Sequence, residues 1–327
     1  MKGILVKEGE KRNTLELTDM PNPDIGAGDL LVRVDHAAVN RTDILNREGK
    51  SGYAANPILG VEAAGIVVDP NGHESFSDGD RVMGLVNGGG YAEYVPMPAD
   101  RAMKIPSALS FADAAAIPEV FLTAYQTLYW IGKLQKHETV LIHAGASGVG
   151  TAAIQMANQL SEAQVIVTAG SARKLTFCQE IGADVVVNYK EQAFDEEVLK
   201  ATANEGVDLI LDFIGADYWD KNFKSIKKGG RWVLIGMLGG AELKNFNLMT
   251  LMSKYIQLTG TLLTPRSDVY KAELSNEFTQ AVMPYMEEGK IRPIVDTVFP
   301  IEKANEAHEH MENNRNIGKI LLNMNRQ

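Results

Sequence analysis

The stretch Val140-Leu141-Ile142-His143-Ala144-Gly145-Ala146-Ser147-Gly148-Val149-Gly150 decides the fold. An apolar run enters a glycine-rich turn, and a helical pattern follows in which Val149, Ala152, Ala153, Met156 and Leu160 share one face. Such a turn needs glycine where the backbone bends tightly and where helix meets strand. Its amides and the helix N-terminus then face a pyrophosphate. Gly145 and Gly150 match the outer glycines of the dinucleotide fingerprint, while Ser147 stands at the middle position. Ser147 and Gly148 are small enough for close approach of a phosphate, and the serine hydroxyl offers a further donor.

Working outward from this turn, short apolar runs alternate with helical patterns. Runs at 165–167, 185–187, 209–211 and 232–235 are followed by helices at 173–181, 194–202, 217–226 and 247–253, and a last run covers 256–263. Six such strands predict an α/β fold with a doubly wound parallel sheet of the Rossmann type. Before residue 105 or so the texture differs. Val32 and Val34 alternate with Arg33 and Asp35, and turn clusters at 21–24, 26–29 and 87–90 interrupt short strands. This predicts a mostly β first domain. The Ala-rich region 108–131 reads as helices linking the domains, and 318–322 as a strand returning to the first. The expected division is 1–120, completed by 290–327, against 121–289.

The bulk numbers exclude several classes. The chain has 327 residues, 45% of them hydrophobic and 23% charged, as in ordinary globular proteins. No apolar run reaches about 18 residues, and the N-terminus has no secretory core, so a cytoplasmic chain is expected. A net charge of -10 argues against nucleic acid or an anionic membrane as partner. The lone cysteine, Cys178, allows no internal disulfide and no multi-cysteine zinc site. Within a helical pattern it reads as a buried, inert thiol.

The end of the second strand bears on the cofactor. An NAD site carries Asp or Glu there to bind the ribose 2′-hydroxyl. Here the segment holds Thr168, Gly170, Ser171, Arg173 and Lys174, with no carboxylate. A hydroxyl and two cations suit a 2′-phosphate, so the expected cofactor is NADPH.

The turn, Ser171 with Lys174, Asn188-Tyr189 and the segment 230–234 together resemble the medium-chain dehydrogenase/reductase superfamily, and more narrowly its zeta-crystallin-like quinone oxidoreductases. Asn40-Arg41-Thr42-Asp43 followed by Arg47 and Gly49, the segment 115–118, Leu122-Thr123-Ala124-Tyr125, and Asn316 to Lys319 carry the same likeness over essentially the whole chain. The resemblance implies a GroES-like β-barrel first domain, a Rossmann second domain and a cleft between them. It implies Gly148, Val149 and Gly150 at the pyrophosphate and Ser171, Lys174 and Tyr189 at the adenosine phosphate end, with Gly145, Ser147 and Gly170 completing the expected cofactor-binding set. Gly236, Met237, Leu262 and Leu263 would flank the nicotinamide, and Asn316 would close over the cofactor.

Zinc enzymes of the superfamily use a Cys and a His where this chain has Asn40 and Val61, and neither ligates zinc as those would. No metal site is therefore expected. His308 and His310 read as solvated, and His36 and His143 as structural. Without a Lewis acid to stabilise an alkoxide, an acceptor that delocalises charge onto its own oxygen is favoured, such as a quinone or a conjugated carbonyl. Asn40, Tyr53 and Thr123 are the candidate donors to that oxygen. Asn40 has a second reading, as an anchor of the 41–47 turn, and Asp43 reads as a helix cap. NADPH:quinone reduction leads. Reduction of an enal, enone or enoyl thioester, and a non-catalytic, crystallin-like NADPH-binding role, are the alternatives. An exposed edge at 255–263 predicts a homodimer or homotetramer.

Overall fold

The computed structural model describes residues 1–10, 12–50, 56–244 and 246–325. Along the chain, β1 (Lys2–Lys7), β2 (Thr14–Asp19) and β3 (Asp29–Val39) precede a short helix α1 (Arg41–Arg47). Then come β4 (Glu62–Asp69), β5 (Arg81–Leu85), β6 (Tyr94–Pro98), β7 (Met103–Lys104), α2 (Phe111–Ala115) and α3 (Pro118–Tyr125). The alternating part follows: β8 (Thr139–Ile142), α4 (Gly148–Ser161), β9 (Gln164–Ala169), α5 (Ala172–Glu180), β10 (Val185–Asn188), α6 (Phe194–Ala201), β11 (Val207–Asp212), α7 (Trp219–Ser225), β12 (Ile226–Leu234), α8 (Leu248–Lys254) and β13 (Gln257–Gly260). The remainder holds α9 (Asp268–Glu287), β14 (Val295–Pro300), α10 (Ala304–Glu312) and β15 (Lys319–Asn323).

Two compact units result: Met1–Leu122 with Leu263–Gln327, and Thr123–Leu262. The chain therefore returns to the first unit at 263, earlier than the expected 290. Helix α9 explains the difference. It buries Leu274, Phe278 and Val282, and Phe278 meets Phe121 of the same unit at a ring distance of 6.2 Å.

In the second unit six parallel strands run in the order β10-β9-β8-β11-β12-β13. This is the doubly wound order, reversing beside β8, where nucleotides bind such sheets. Strand β11 is buried along its whole length, as a strand covered on both faces must be. Leu141, Ile166, Val187, Ile210 and Trp232 form the core with Phe194 and Phe223. The last strand is shorter than the apolar run suggested, and all four residues of β13 are exposed at the sheet edge.

The first unit is a GroES-like β structure with an open strand path among the described residues. Its sheet runs β14-β15-β3-β4-β5-β7, with β6 also on β3, so no hydrogen-bonded ring closes it as the expected barrel would. The 11-residue β3 spends its first half on β6 and its second on β15. The β1–β2 hairpin forms a separate sheet, tied by single bridges from Gly3 to Ala92 and from Leu5 to Ile58. Ile4, Leu30, Val32, Val95, Ile320 and Leu322 lie in this unit's core.

Candidate functional site

The glycine turn joins β8 to α4 at the C-terminal ends of the strands. Two of its glycines are there for lack of room. A Cβ on Gly145 would lie 1.8 Å from Val167 Cγ1, and one on Gly150 would lie 2.5 Å from the Gly145 carbonyl oxygen. Ala144 adopts a left-handed φ of 49°, uncommon for a residue with a side chain. Ser147 caps α4, its Oγ accepting from the Gly150 N–H at 3.1 Å. The first-turn amides have no partners within the helix, and the helix dipole adds positive potential there, so the turn suits an anionic phosphate.

At the end of β9, a Cβ on Gly170 would strike the Tyr189 hydroxyl at 2.7 Å, so glycine admits the tyrosine ring. Ser171 caps α5 and accepts from the Lys174 N–H. Ser171 and Arg173 are exposed, and Lys174 is half-buried. Of the two hydroxyls in this segment, that of Thr168 is turned inward. Thr168 is buried and bonds His143 Nδ1 at 2.9 Å, so it faces inward, away from any 2′-phosphate.

That bond belongs to a buried network under the turn. Asn222 donates from Nδ2 to Asp212 and presents Oδ1 to His143 Nε2 at 2.7 Å. The imidazole therefore carries its proton on Nε2 and accepts from Thr168 on Nδ1. Burial lowers the imidazole pKa and keeps it neutral. Asp212 also accepts from Trp232 Nε1 and from the N–H groups of Ile214 and Gly215. The residue that follows β8 is thus joined to strands β9, β11 and β12 by one polar chain.

The first unit holds a second buried cluster. Asn40 caps α1, and its N–H donates to Asp43 Oδ2 at 2.8 Å; Asp43 Oδ1 accepts from the Gly60 N–H. The Asn40 carboxamide bridges an ion pair. Its Oδ1 accepts from Lys319 Nζ at 2.6 Å, and its Nδ2 donates to Glu62 Oε1 at 2.8 Å. Lys319 meets the same Oε1 at 2.8 Å, and Glu62 Oε2 accepts from the Glu119 N–H at 2.7 Å. Burial above all pushes Asp43 up to about 7, against the pull of the Asn40 and Gly60 amides. Burial, then the charge of Glu62, pushes Glu119 up to about 8.

Next to it, Tyr91 bonds Asp43 and lies 3.1 Å from His308 Nε2. His308 is buried and also meets Arg47, which pairs with Glu312. Burial and the Arg47 charge hold its pKa down to about 3. The expectation of solvated histidines is corrected: His308 packs inside the first unit because its imidazole has a polar partner at each nitrogen, and His310 pairs with Asp296 at 2.9 Å.

The second unit brings together Gly145, Ser147, Gly148, Val149, Gly150, Gly170, Ser171, Lys174 and Tyr189 around the ends of β8, β9 and β10. Gly236 and Met237 follow β12, with Met237 exposed, and exposed Leu262 follows β13. Thr123 is buried in α3, its carbonyl accepting from Thr127 Oγ1. Asn40, Leu263 and Asn316 belong to the first unit, and Asn316 bonds the Gly318 carbonyl. Tyr53 lies outside the described residues. Lys319 stands in the C-terminal motif without a role of its own, and neither Glu62 nor Glu119 is a candidate from the sequence. The signal was faint: a Lys inside the strand pattern 318–322 and a Glu inside an Ala-rich helix. Among the described residues no three His, Cys, Asp or Glu side chains form a group able to hold a metal ion. No helix among them is long and apolar enough to cross a membrane.

Residues 26–107 match the alcohol dehydrogenase GroES-like domain, and residues 148–279 the zinc-binding dehydrogenase family. The latter stretch contains no histidine and a single cysteine. The chain is 31% identical over 307 residues to quinone oxidoreductase-like protein 2 homolog of Nematostella vectensis, covering 92% of this chain and 83% of that one. It is 31% identical over 359 residues to an NAD-dependent alcohol dehydrogenase of Sulfolobus acidocaldarius, covering 98% and 99%. Among solved structures, Escherichia coli quinone oxidoreductase complexed with NADPH superposes with a TM-score of 0.89 at 29% identity, over 99% of this chain and 100% of that one. The chain belongs to the medium-chain dehydrogenase/reductase superfamily of oxidoreductases, in its zinc-independent, quinone oxidoreductase-like branch.

Proposed function

We propose that the protein is an NADPH-dependent reductase that delivers hydride to quinones without a metal. The observation that carries this reading is the first-unit cluster, where Asn40 and Val61 stand in place of metal-ligating Cys and His and the Asn40 carboxamide spans the Glu62–Lys319 pair. An acceptor that spreads charge onto its own oxygen suits a site with amide and hydroxyl donors. Asn40, Thr123 and Tyr53 are the proposed donors to that oxygen. Asn40 already serves Glu62 with one amide hydrogen. Its other contact, to the Ala38 carbonyl at 3.4 Å, is long enough to yield to a better acceptor.

The nucleotide turn fits NADPH. Crowding at Gly145 and Gly150 leaves space for nothing larger at those positions. Ser147, Gly148, Val149 and Gly150 would hold the pyrophosphate, and Ser171, Lys174 and Tyr189 the 2′-phosphate end. Gly236, Met237 and Leu262 would flank the nicotinamide; for Leu263 and Asn316 the assignment rests on the resemblance alone. Bound NADPH supplies a hydride equivalent. Replacing Lys174 by Ala should weaken NADPH about ten- to a hundredfold and NADH little, read by fluorescence titration. Equal losses would refute the assignment.

The edge strand supports a two-fold dimer. Leu248, Met249, Met252, Tyr255, Leu258 and Leu262 are exposed on and beside β13. Pairing β13 with a second copy would cover them and satisfy its open edge. Light scattering of Leu258→Lys against the parent checks this, with loss of the dimer expected.

NADPH oxidation with a quinone, then with an α,β-unsaturated ketone, tests the activity. Quinone turnover is the expected result. Turnover of the ketone alone would move the protein to enoyl reduction, and turnover of neither would favour a binding role.

A further inference from the structure

A dinucleotide lies across the strand ends of a doubly wound sheet, one half on each side of the point where the strand order reverses. The adenosine side here is β9 and β10, so the nicotinamide half falls to the loops that follow β11 and β12. We propose that Asp212 is the positioning residue for that half, holding both loops and fastening them through Asn222 and His143 to the phosphate turn. This role rests on the cofactor reading above, and every residue it involves lies in the second unit.

Asp212 ends β11 and is fully buried. Its Oδ1 accepts from the N–H groups of Ile214 at 2.7 Å and Gly215 at 3.1 Å, which fixes the loop after β11. Its backbone carbonyl accepts from the N–H groups of Ile235 at 2.7 Å and Gly236 at 3.3 Å, which fixes the loop after β12. The two loops then zip together. Leu238 N–H donates to the Phe213 carbonyl at 3.1 Å, Gly239 N–H to that of Ile214 at 2.7 Å, and Ala216 N–H to that of Gly240 at 3.0 Å. One residue therefore anchors both loops, and Met237 and Leu238 stay exposed on a backbone held in place. Large apolar side chains presented in this way suit a flat ring.

The other carboxylate oxygen carries the link to the phosphate side. Oδ2 accepts from Asn222 Nδ2 at 3.2 Å and from Trp232 Nε1 at 3.1 Å. Asn222 Oδ1 meets His143 Nε2 at 2.7 Å, and His143 Nδ1 meets the Thr168 hydroxyl at 2.9 Å. The Thr168 carbonyl in turn accepts from the Gly145 N–H at 3.0 Å, so the chain ends on the backbone of the glycine turn. A ligand that spans two sites gains from both when their separation is already set, because ordering a loose loop on binding costs affinity. Asp212 sets that separation with four side-chain hydrogen bonds, two on each oxygen. A carboxamide in its place leaves two of the four donors facing an NH2 group, whichever way it turns.

Calorimetry on Asp212→Asn, with NADPH and with adenosine 2′,5′-bisphosphate, separates the two halves. NADPH should bind about tenfold more weakly than to the parent, and the bisphosphate within about twofold of it. The change in nicotinamide emission when NADPH binds the parent should shrink in the variant. Gly215→Ala disturbs the same loops from outside the buried chain. Gly215 has a φ of 82°, and a Cβ there would meet the Gly240 carbonyl oxygen at 2.7 Å, while Asn222 and His143 keep their partners. It should show the same split, and it carries the test alone if Asp212→Asn does not fold. Equal losses for both ligands would mean general loosening and overturn the proposal, as would parent-like NADPH binding. A parent that binds both ligands leaves the cofactor reading standing under either of those results. A parent that binds neither removes that reading and the role of Asp212 with it.

Discussion

Both units bury a polar network, and the two are built on opposite principles. Beneath the nucleotide turn, Thr168, His143, Asn222, Asp212 and Trp232 alternate donors and acceptors around one carboxylate that receives four hydrogen bonds. Its histidine is held neutral, and its work is to pin β9, β11 and β12 to the residue that follows β8. In the first unit, Asp43, Glu62 and Glu119 crowd around Lys319, and two of these acids reach about 7 and about 8. A satisfied neutral chain fixes geometry, whereas an excess of acids over cations in a buried site holds protons near neutral pH.

The sharpest way to break the contrast is Lys319→Met, which leaves Glu62 buried without its cation. Urea unfolding should show a loss of about 3–5 kcal/mol, and adding Glu62→Gln should restore much of it. No recovery in the double variant would mean that Lys319 matters for packing alone. Asp212→Asn turns an amide donor toward Trp232 and Asn222, which already donate. A loss of roughly 1.5–3 kcal/mol is expected, and a neutral outcome would show the second network to be dispensable.

The pH dependence separates the clusters with the smallest effect. Glu119 has a raised folded pKa, so the unfolded chain releases this proton near 4.5 and the folded chain near 8. Its contribution is therefore full at acid pH and is lost as pH rises between those values. Glu119→Gln escapes that loss, so its urea midpoint should rise relative to the parent from pH 5 to pH 8. A constant difference would contradict the raised value. Asp212→Asn serves as the reference from the other network.

How much of this was legible in the sequence follows from the range of the interactions. The strand–turn–helix at 139–161 was readable because its periodicity and glycines are local, and the sheet order followed from repetition of that unit. The capping role of Asp43 was local too. The inward turn of Thr168 was hidden because its partner, His143, follows a neighbouring strand, β8. His308 looked like surface because its partners Tyr91 and Arg47 are far away in the chain. The meeting of Asn40 and Glu62 with Lys319 spans more than 250 residues, beyond any motif. Helix α9 carries a weak apolar stripe, which left its allegiance to the first unit unread.

One consequence follows from the way the chain leaves the first unit at 122 and re-enters it at 263. During synthesis, every residue of the nucleotide-binding unit is available while the first unit still lacks β15. Strand β3 then waits with half of one edge unpaired, and Glu62 has no counter-ion, until the ribosome has made Lys319. The proton-holding cluster is thus finished only late in translation. A nascent or C-terminally clipped chain can own every strand of the parallel sheet and still lack the Lys319 that completes the buried cluster of the first unit.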